Sequence, residues 1–175
     1  MFHRMASLVF VPVAVFIMST AAFAQTPAAR SEVTAAAGLV NFDLSGTGTV
    51  LGLSGRGTLA LTDALAVEGH LLWARPDQQF GTSQITVAEA QVQYFWRLGR
   101  LRPYIGGGAG ALVNRSDVFT ESDFTVSGAG GARIDVTDRV ALLGEFRLRG
   151  VEWANRSFTG TTAEVMAGVT VALGR

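Results

Sequence analysis

From residue 31 onward the chain alternates apolar and polar positions with a period of two, and no stretch of residues 25–175 holds a helical period. The alternation divides into eight segments, at about 31–42, 49–61, 65–76, 84–97, 102–114, 123–136, 140–153 and 162–173. In the third, Leu65, Val67, Gly69, Leu71 and Trp73 share one face and Ala66, Glu68, His70 and Leu72 the other. In the fourth, Ala88, Ala90, Val92, Tyr94 and Trp96 oppose Glu89, Gln91, Gln93 and Arg97. In the sixth, Phe124, Val126, Ile134 and Val136 oppose Thr125, Ser127, Arg133 and Asp135. In the seventh, Val140, Leu142, Phe146 and Leu148 oppose Glu145, Arg147 and Arg149, and in the eighth Val165, Val169 and Leu173 oppose Glu164.

The connections differ in kind. Thr62-Asp63-Ala64, Leu98 to Leu101 and Thr137-Asp138-Arg139 are tight, whereas 43–48, 77–83, 115–122 and 154–161 are longer and more polar. Short turns at one end and longer loops at the other are the layout of a strand-built membrane barrel, and each segment has the nine to eleven residues such a strand needs. The expected fold is all-β: a closed, antiparallel, up-and-down transmembrane β-barrel of about eight strands. A faint repeat supports a meander, since Thr62-Asp63-Ala64-Leu65-Ala66-Val67 and Thr137-Asp138-Arg139-Val140-Ala141-Leu142 match, with Gly69 and Gly144 in step. In both copies the short Asp side chain is expected to bond nearby backbone N–H groups.

Every strand charge falls on one face. With Glu32 and Arg56 from the first two segments, that face carries six acids (Glu32, Glu68, Glu89, Asp135, Glu145, Glu164), five arginines (Arg56, Arg97, Arg133, Arg147, Arg149) and His70. If the apolar face meets lipid, these groups share a narrow interior and must neutralise one another, because an unpaired buried charge is far costlier than a bonded pair. A salt-bridged polar plug in the lumen is then expected. Alternation alone leaves inside and outside open, since a soluble lipocalin-like carrier would turn the same faces the other way.

Three features favour lipid outside. Phe42, Trp73, Phe124 and Trp153 lie toward the loops and Tyr94, Trp96 and Tyr104 toward the turns, as two interfacial girdles would. The polar face is rich in small residues (Ala36, Gly38, Ser54, Thr58, Ser127, Gly131, Gly168), as a crowded lumen needs. All 14 basic residues are Arg, so the Lys that usually dresses a water-facing surface is missing.

The first 24 residues read as an address. A short polar start at His3 and Arg4 leads into an uncharged stretch from Met5 to Phe23, closing on Ala22-Phe23-Ala24 before Gln25. That is the pattern of a secretory signal peptide cleaved before Gln25, leaving a barrel domain over 25–175. Charged residues make up 16% of the chain, below a soluble domain's usual quarter. A formally neutral chain offers no footprint for nucleic acid. With no Cys there is no disulfide scaffold, thiolate metal site or cysteine nucleophile.

Two stretches carry a likeness to a known family. They are Arg102-Pro103-Tyr104-Ile105-Gly106-Gly107-Gly108-Ala109-Gly110, and Gly128-Ala129-Gly130-Gly131-Ala132-Arg133-Ile134-Asp135-Val136-Thr137-Asp138, which runs on to Glu145-Phe146-Arg147. In these the chain resembles the small outer-membrane β-barrel proteins of OmpA/OmpX type, along all of residues 25–175. The resemblance implies a Gram-negative outer membrane, contact with its lipid and lipopolysaccharide, and insertion by the barrel-assembly machinery. Family members mostly end in an aromatic residue that this machinery reads; here the chain closes Val171-Ala172-Leu173-Gly174-Arg175, so Leu173 takes that place.

Chemistry is sparse. His70 is the one histidine after residue 24, and beside Glu68 and Glu89 it reads as a hydrogen-bonded lumen group, not a catalytic base. Gly106 to Gly110 lacks the helix and Lys of a phosphate loop. Asp117, Glu121 and Asp123 read as a solvated loop rather than a cation site. No catalytic, cofactor or metal residue is expected. The expected role is structural or surface-interacting, against three rivals: a narrow porin-like channel, a lipid-A-modifying enzyme, and the periplasmic carrier.

Overall fold

The computed structural model describes residues 30–42, 48–78, 81–116, 120–153 and 156–173; the expected signal peptide lies outside them. The described residues form nine strands: β1 Ser31–Phe42, β2 Gly48–Ala60, β3 Leu65–Ala74, β4 Asp77–Gln78, β5 Gly81–Phe95, β6 Leu101–Ser116, β7 Thr120–Asp135, β8 Val140–Trp153 and β9 Arg156–Leu173. Apart from the two-residue β4, which pairs only with the start of β5, the eight long strands pair antiparallel in chain order. β1 pairs β9, and β3 pairs β5, so the sheet closes.

The register fixes the size of the tube. Following partners once around from Ser31, through Leu59, Val67, Val92, Gly107, Gly128, Leu148 and Ala163, returns to β1 at Asn41, ten residues further on. With strands about 4.8 Å apart and a rise of about 3.3 Å per residue, eight strands staggered by ten tilt by about 40° and enclose a tube of roughly 8 Å radius. Inward side chains fill such a bore.

The tight turns behave as spaced, with one change of agent. At 62–65 and 137–140 the threonine, not the aspartate, caps the turn. Thr62 Oγ1 accepts from the Ala64 and Leu65 N–H groups at 3.2 and 2.9 Å, and Thr137 Oγ1 from Arg139 and Val140 at 3.2 and 3.0 Å. The hydroxyl sits one residue earlier and so reaches the donors two and three residues on. Asp63 is left to face Arg97 across the surface. At the third turn Leu98 and Leu101 exchange both backbone bonds around Gly99, whose φ of 65° is the left-handed conformation glycine adopts without a Cβ clash.

At the other end the strands run further than the polar composition predicts. Arg115 pairs Thr120 and Asn114 pairs Glu121, so most of the expected 115–122 loop is ladder. Residues 156–161 likewise belong to β9. Thr- and Ser-rich segments suit a strand when a partner is at hand, and polar composition alone does not distinguish that from a loop. Asp117 lies outside the described residues; Glu121 and Asp123 sit on β7.

Sidedness follows from exposure. Leu39, Leu51, Leu71, Ile105, Phe146 and Val165 face outward, as do the other large apolar side chains of the first-named faces. Arg56, Glu68, Glu89, Arg133, Glu145, Arg147, Arg149 and Glu164 are buried within the bore. An oily exterior around an ionic interior is the inverse of a soluble carrier and fits a tube whose outer wall meets hydrocarbon.

Candidate functional site

The interior is stratified along its axis. At the turn end one carboxylate holds three guanidinium groups: Glu32 pairs with Arg30 at 3.3 Å, with Arg102 at 3.2 Å, and with Arg133. Arg102 also pairs with Asp135 at 2.8 Å. Arg133 lies over two rings, its Cζ 5.0 Å from the Phe95 centroid and 5.7 Å from that of Tyr104, where their π faces attract the cation.

Deeper in, the ion pairs interlock. Arg133 reaches Glu68 at 2.9 Å, and Glu68 also accepts from Thr58 and Gln91. Glu145 accepts from Arg56 at 2.6 Å, from Arg147 at 3.2 Å and from the Tyr104 hydroxyl at 2.5 Å. Glu89 takes Arg147 at 3.0 Å and Arg149 at 2.8 Å, with Thr125 and Ser127 completing its shell. Arg149 closes onto Glu164. Each ladder places these groups side by side on one face; Arg147 and Glu164, for example, are register partners on β8 and β9.

Above the ions, toward the loops, the bore turns apolar. Val40, Phe42, Leu72, Ala74, Ile85, Val87, Leu112 and Val151 are all buried there. The register joins them, since Val87 pairs both Leu72 and Leu112, and Ile85 pairs Ala74. Thr125 and Thr162 are among the few polar groups at this level, and a Ser83–Asn114 hydrogen bond of 2.5 Å lies beyond it. The expected polar plug is therefore only the turn-side and central part of the filling.

Several residues lie elsewhere than expected. Phe42 and Tyr104 are not interfacial: each is 2% exposed and points inward, because each has the parity of its strand's lumen face. Arg97 is not a lumen group. β5 ends at Phe95, so Arg97 lies past the last ladder pair and faces Asp63 in solvent at 3.3 Å. Asp135 sits at the half-open rim. Trp73, Tyr94, Trp96 and Phe124 do face outward; Tyr94 and Trp96 pack edge to face at 5.1 Å, and Arg75 lies 5.6 Å from the Trp73 ring. The Trp153 side chain lies outside the described residues. Sequence reasoning passed over Arg30 and Arg102 as network members. Arg102 has the inward parity of Tyr104, a signal available in Arg102-Pro103-Tyr104.

His70 is buried with its Nδ1 3.8 Å from Glu89, and neither ring nitrogen has a hydrogen-bond partner among the described residues. Among the described residues a Ser–His pair, the minimum of a nucleophilic site, is not assembled at His70. Among the described residues no group of three or more His, Asp or Glu side chains is placed to hold a metal.

Residues 10–172 match the profile of the family described as outer membrane protein beta-barrel domain. This chain belongs to that family. Solved structures agree on the fold. Neisserial surface protein A superposes with a TM-score of 0.69 at 18% identity, over 81% of this chain and 96% of that one. The N-terminal barrel domain of Pseudomonas aeruginosa OprF gives 0.56 at 14%, over 83% and 99%. The attachment invasion locus protein Ail of Yersinia pestis gives 0.55 at 12%, over 83% and 99%. Among curated proteins none matches the sequence. The protein is an outer-membrane β-barrel protein of this small type, and the outer membrane is its place.

Proposed function

We propose that this family member is a sealed envelope barrel with a structural or surface-contact role, and not a pore or an enzyme. The apolar segment of the bore carries this reading. Leu72, Val87, Ile85 and Leu112 lie fully buried above a network in which every carboxylate meets at least one guanidinium. An ion crossing the tube would have to displace interlocked pairs and then enter a hydrocarbon-like layer, each step costing several kcal/mol. The strand ends beyond the apolar segment offer the surface for contact with lipopolysaccharide or another cell.

Purified protein in planar bilayers tests the reading. No steady conductance steps are expected; regular open steps would overturn it in favour of a channel. Lipid A from cells making the protein should be unchanged in mass, and a modification lost with His70→Ala would instead establish an enzyme. Export by a signal peptide belongs to the same proposal: the N-terminus of the protein recovered from outer membranes should be Gln25, and assembly should depend on the barrel-assembly machinery.

A further inference from the structure

The turn-side mouth is more than the end of a plug. A cavity of about 340 Å³ opens there, lined by Arg30, Arg97, Arg102 and Arg133 against the acids Glu32 and Asp63. Two of its cations are anchored by a carboxylate they must share, since Arg30 and Arg102 both lean on Glu32, which Arg133 also holds. Arg102 also pairs with Asp135 and Arg133 with Glu68, but neither of those acids lines the cavity, whose wall carries four guanidiniums against the carboxylates of Glu32 and Asp63. The floor also has a donor to spare. Arg133 Nε is buried and has no hydrogen-bond partner among the described residues. An unfilled N–H donor in a wall where guanidiniums outnumber carboxylates calls for an oxyanion.

The lip of the cavity is of opposite character. Leu61 and Leu65 line it, and both are exposed, Leu65 on the outer wall of the barrel. A ligand seated on the cations would therefore leave over an apolar edge onto the surface that faces lipid. We propose that this mouth binds the phosphate of a membrane phospholipid, headgroup on Arg30 and Arg102 and acyl chains over Leu61 and Leu65. The inference rests on the outer-membrane reading, in which the turn end faces the periplasm and the phospholipid leaflet. It does not depend on whether the tube conducts.

Native mass spectrometry of the purified protein in detergent, with added phosphatidylglycerol, tests it. One lipid should be retained per barrel. Arg30→Gln with Arg102→Gln should weaken retention about tenfold or more, as loss of charge-assisted bonds to a phosphate predicts. Arg139→Gln, on another turn, should not. Leu65→Asp should weaken lipid retention while leaving the cations in place, and an equal concentration of inorganic phosphate should not displace the lipid. Retention unchanged in the double arginine variant, or displacement by inorganic phosphate alone, would overturn the proposal. Folding of each variant is checked by its unheated gel mobility, and a variant that does not fold is replaced by Arg102→Lys, which keeps the charge and loses the fork and should show an intermediate loss.

Discussion

The Tyr104 hydroxyl donates to Glu145 at 2.5 Å, inside the tube rather than at its lipid boundary. It adds a neutral donor to a carboxylate that already serves Arg56 and Arg147. Removing the donor and removing the acceptor should therefore cost very different amounts. Tyr104→Phe leaves both guanidiniums paired and should cost about 1–2 kcal/mol. Glu145→Ala leaves Arg147 to Glu89 alone among its close partners and Arg56 to Glu68 at 3.8 Å, and should cost about 3–5 kcal/mol. Urea unfolding in lipid vesicles, followed by tryptophan fluorescence, measures both. Equal losses would mean that the pairs contribute no more than the phenol.

Tyr104 fits inward only because its neighbour has no side chain. A Cβ on Gly131 would stand 2.9 Å from the Tyr104 ring and hydroxyl and 2.5 Å from the Gly144 carbonyl oxygen. Gly131→Val should destabilise the barrel by at least about 1–3 kcal/mol, the usual range for overpacking. Adding Tyr104→Ala should recover only part of this, since the carbonyl stays where it is. Thermal loss of the compact gel form provides the comparison.

Position on the outer wall should set the penalty for a charge. Phe146, exposed in the middle of β8, is placed at mid-membrane; Leu61 is exposed at a turn. Phe146→Arg should cost about 2–4 kcal/mol and Leu61→Arg about 0–1 kcal/mol. The same unfolding assay decides, and a small effect at Phe146 would speak against hydrocarbon on that wall.

The two capped turns predict a hierarchy between adjacent residues. Thr137→Ala removes an acceptor for two backbone N–H groups and should cost about 0.5–1 kcal/mol, whereas Asp138→Ala should be close to neutral. The matching pair Thr62→Ala and Asp63→Ala should behave alike. A larger loss at the aspartates would return the capping role to them.

The strand count, the tight turns and the polar face could be read from the alternation, because contrast between the two faces was high wherever one carried Glu or Arg. That contrast fades toward the loops. In His70-Leu71-Leu72-Trp73-Ala74 parity puts Leu72 on the face of Glu68 and His70 and Leu71 on the other, but both faces are apolar there, so residue type gives no sign that it is the bore that turns apolar. Phe42 and Tyr104 were misplaced for a related reason: an aromatic near a strand end suits the lipid boundary by type, but parity decides its direction. Arg97 shows the limit of parity, which holds only while the ladder lasts. Arg30 and Arg102 act through Glu32, a convergence of β1 and β6 that closure creates and the linear chain does not display.

Closure also bears on how the protein can come into being. Because β1 bonds β9 along twelve register pairs, the earliest strand waits for the latest before its second edge is satisfied. Every intermediate short of the full circle exposes two rows of bare amides and carbonyls, which hydrocarbon cannot tolerate and a neighbouring copy would readily join. A chain shortened within β9 should therefore yield no smaller working barrel, only aggregate or degraded material. The barrel is complete only when β9 meets β1.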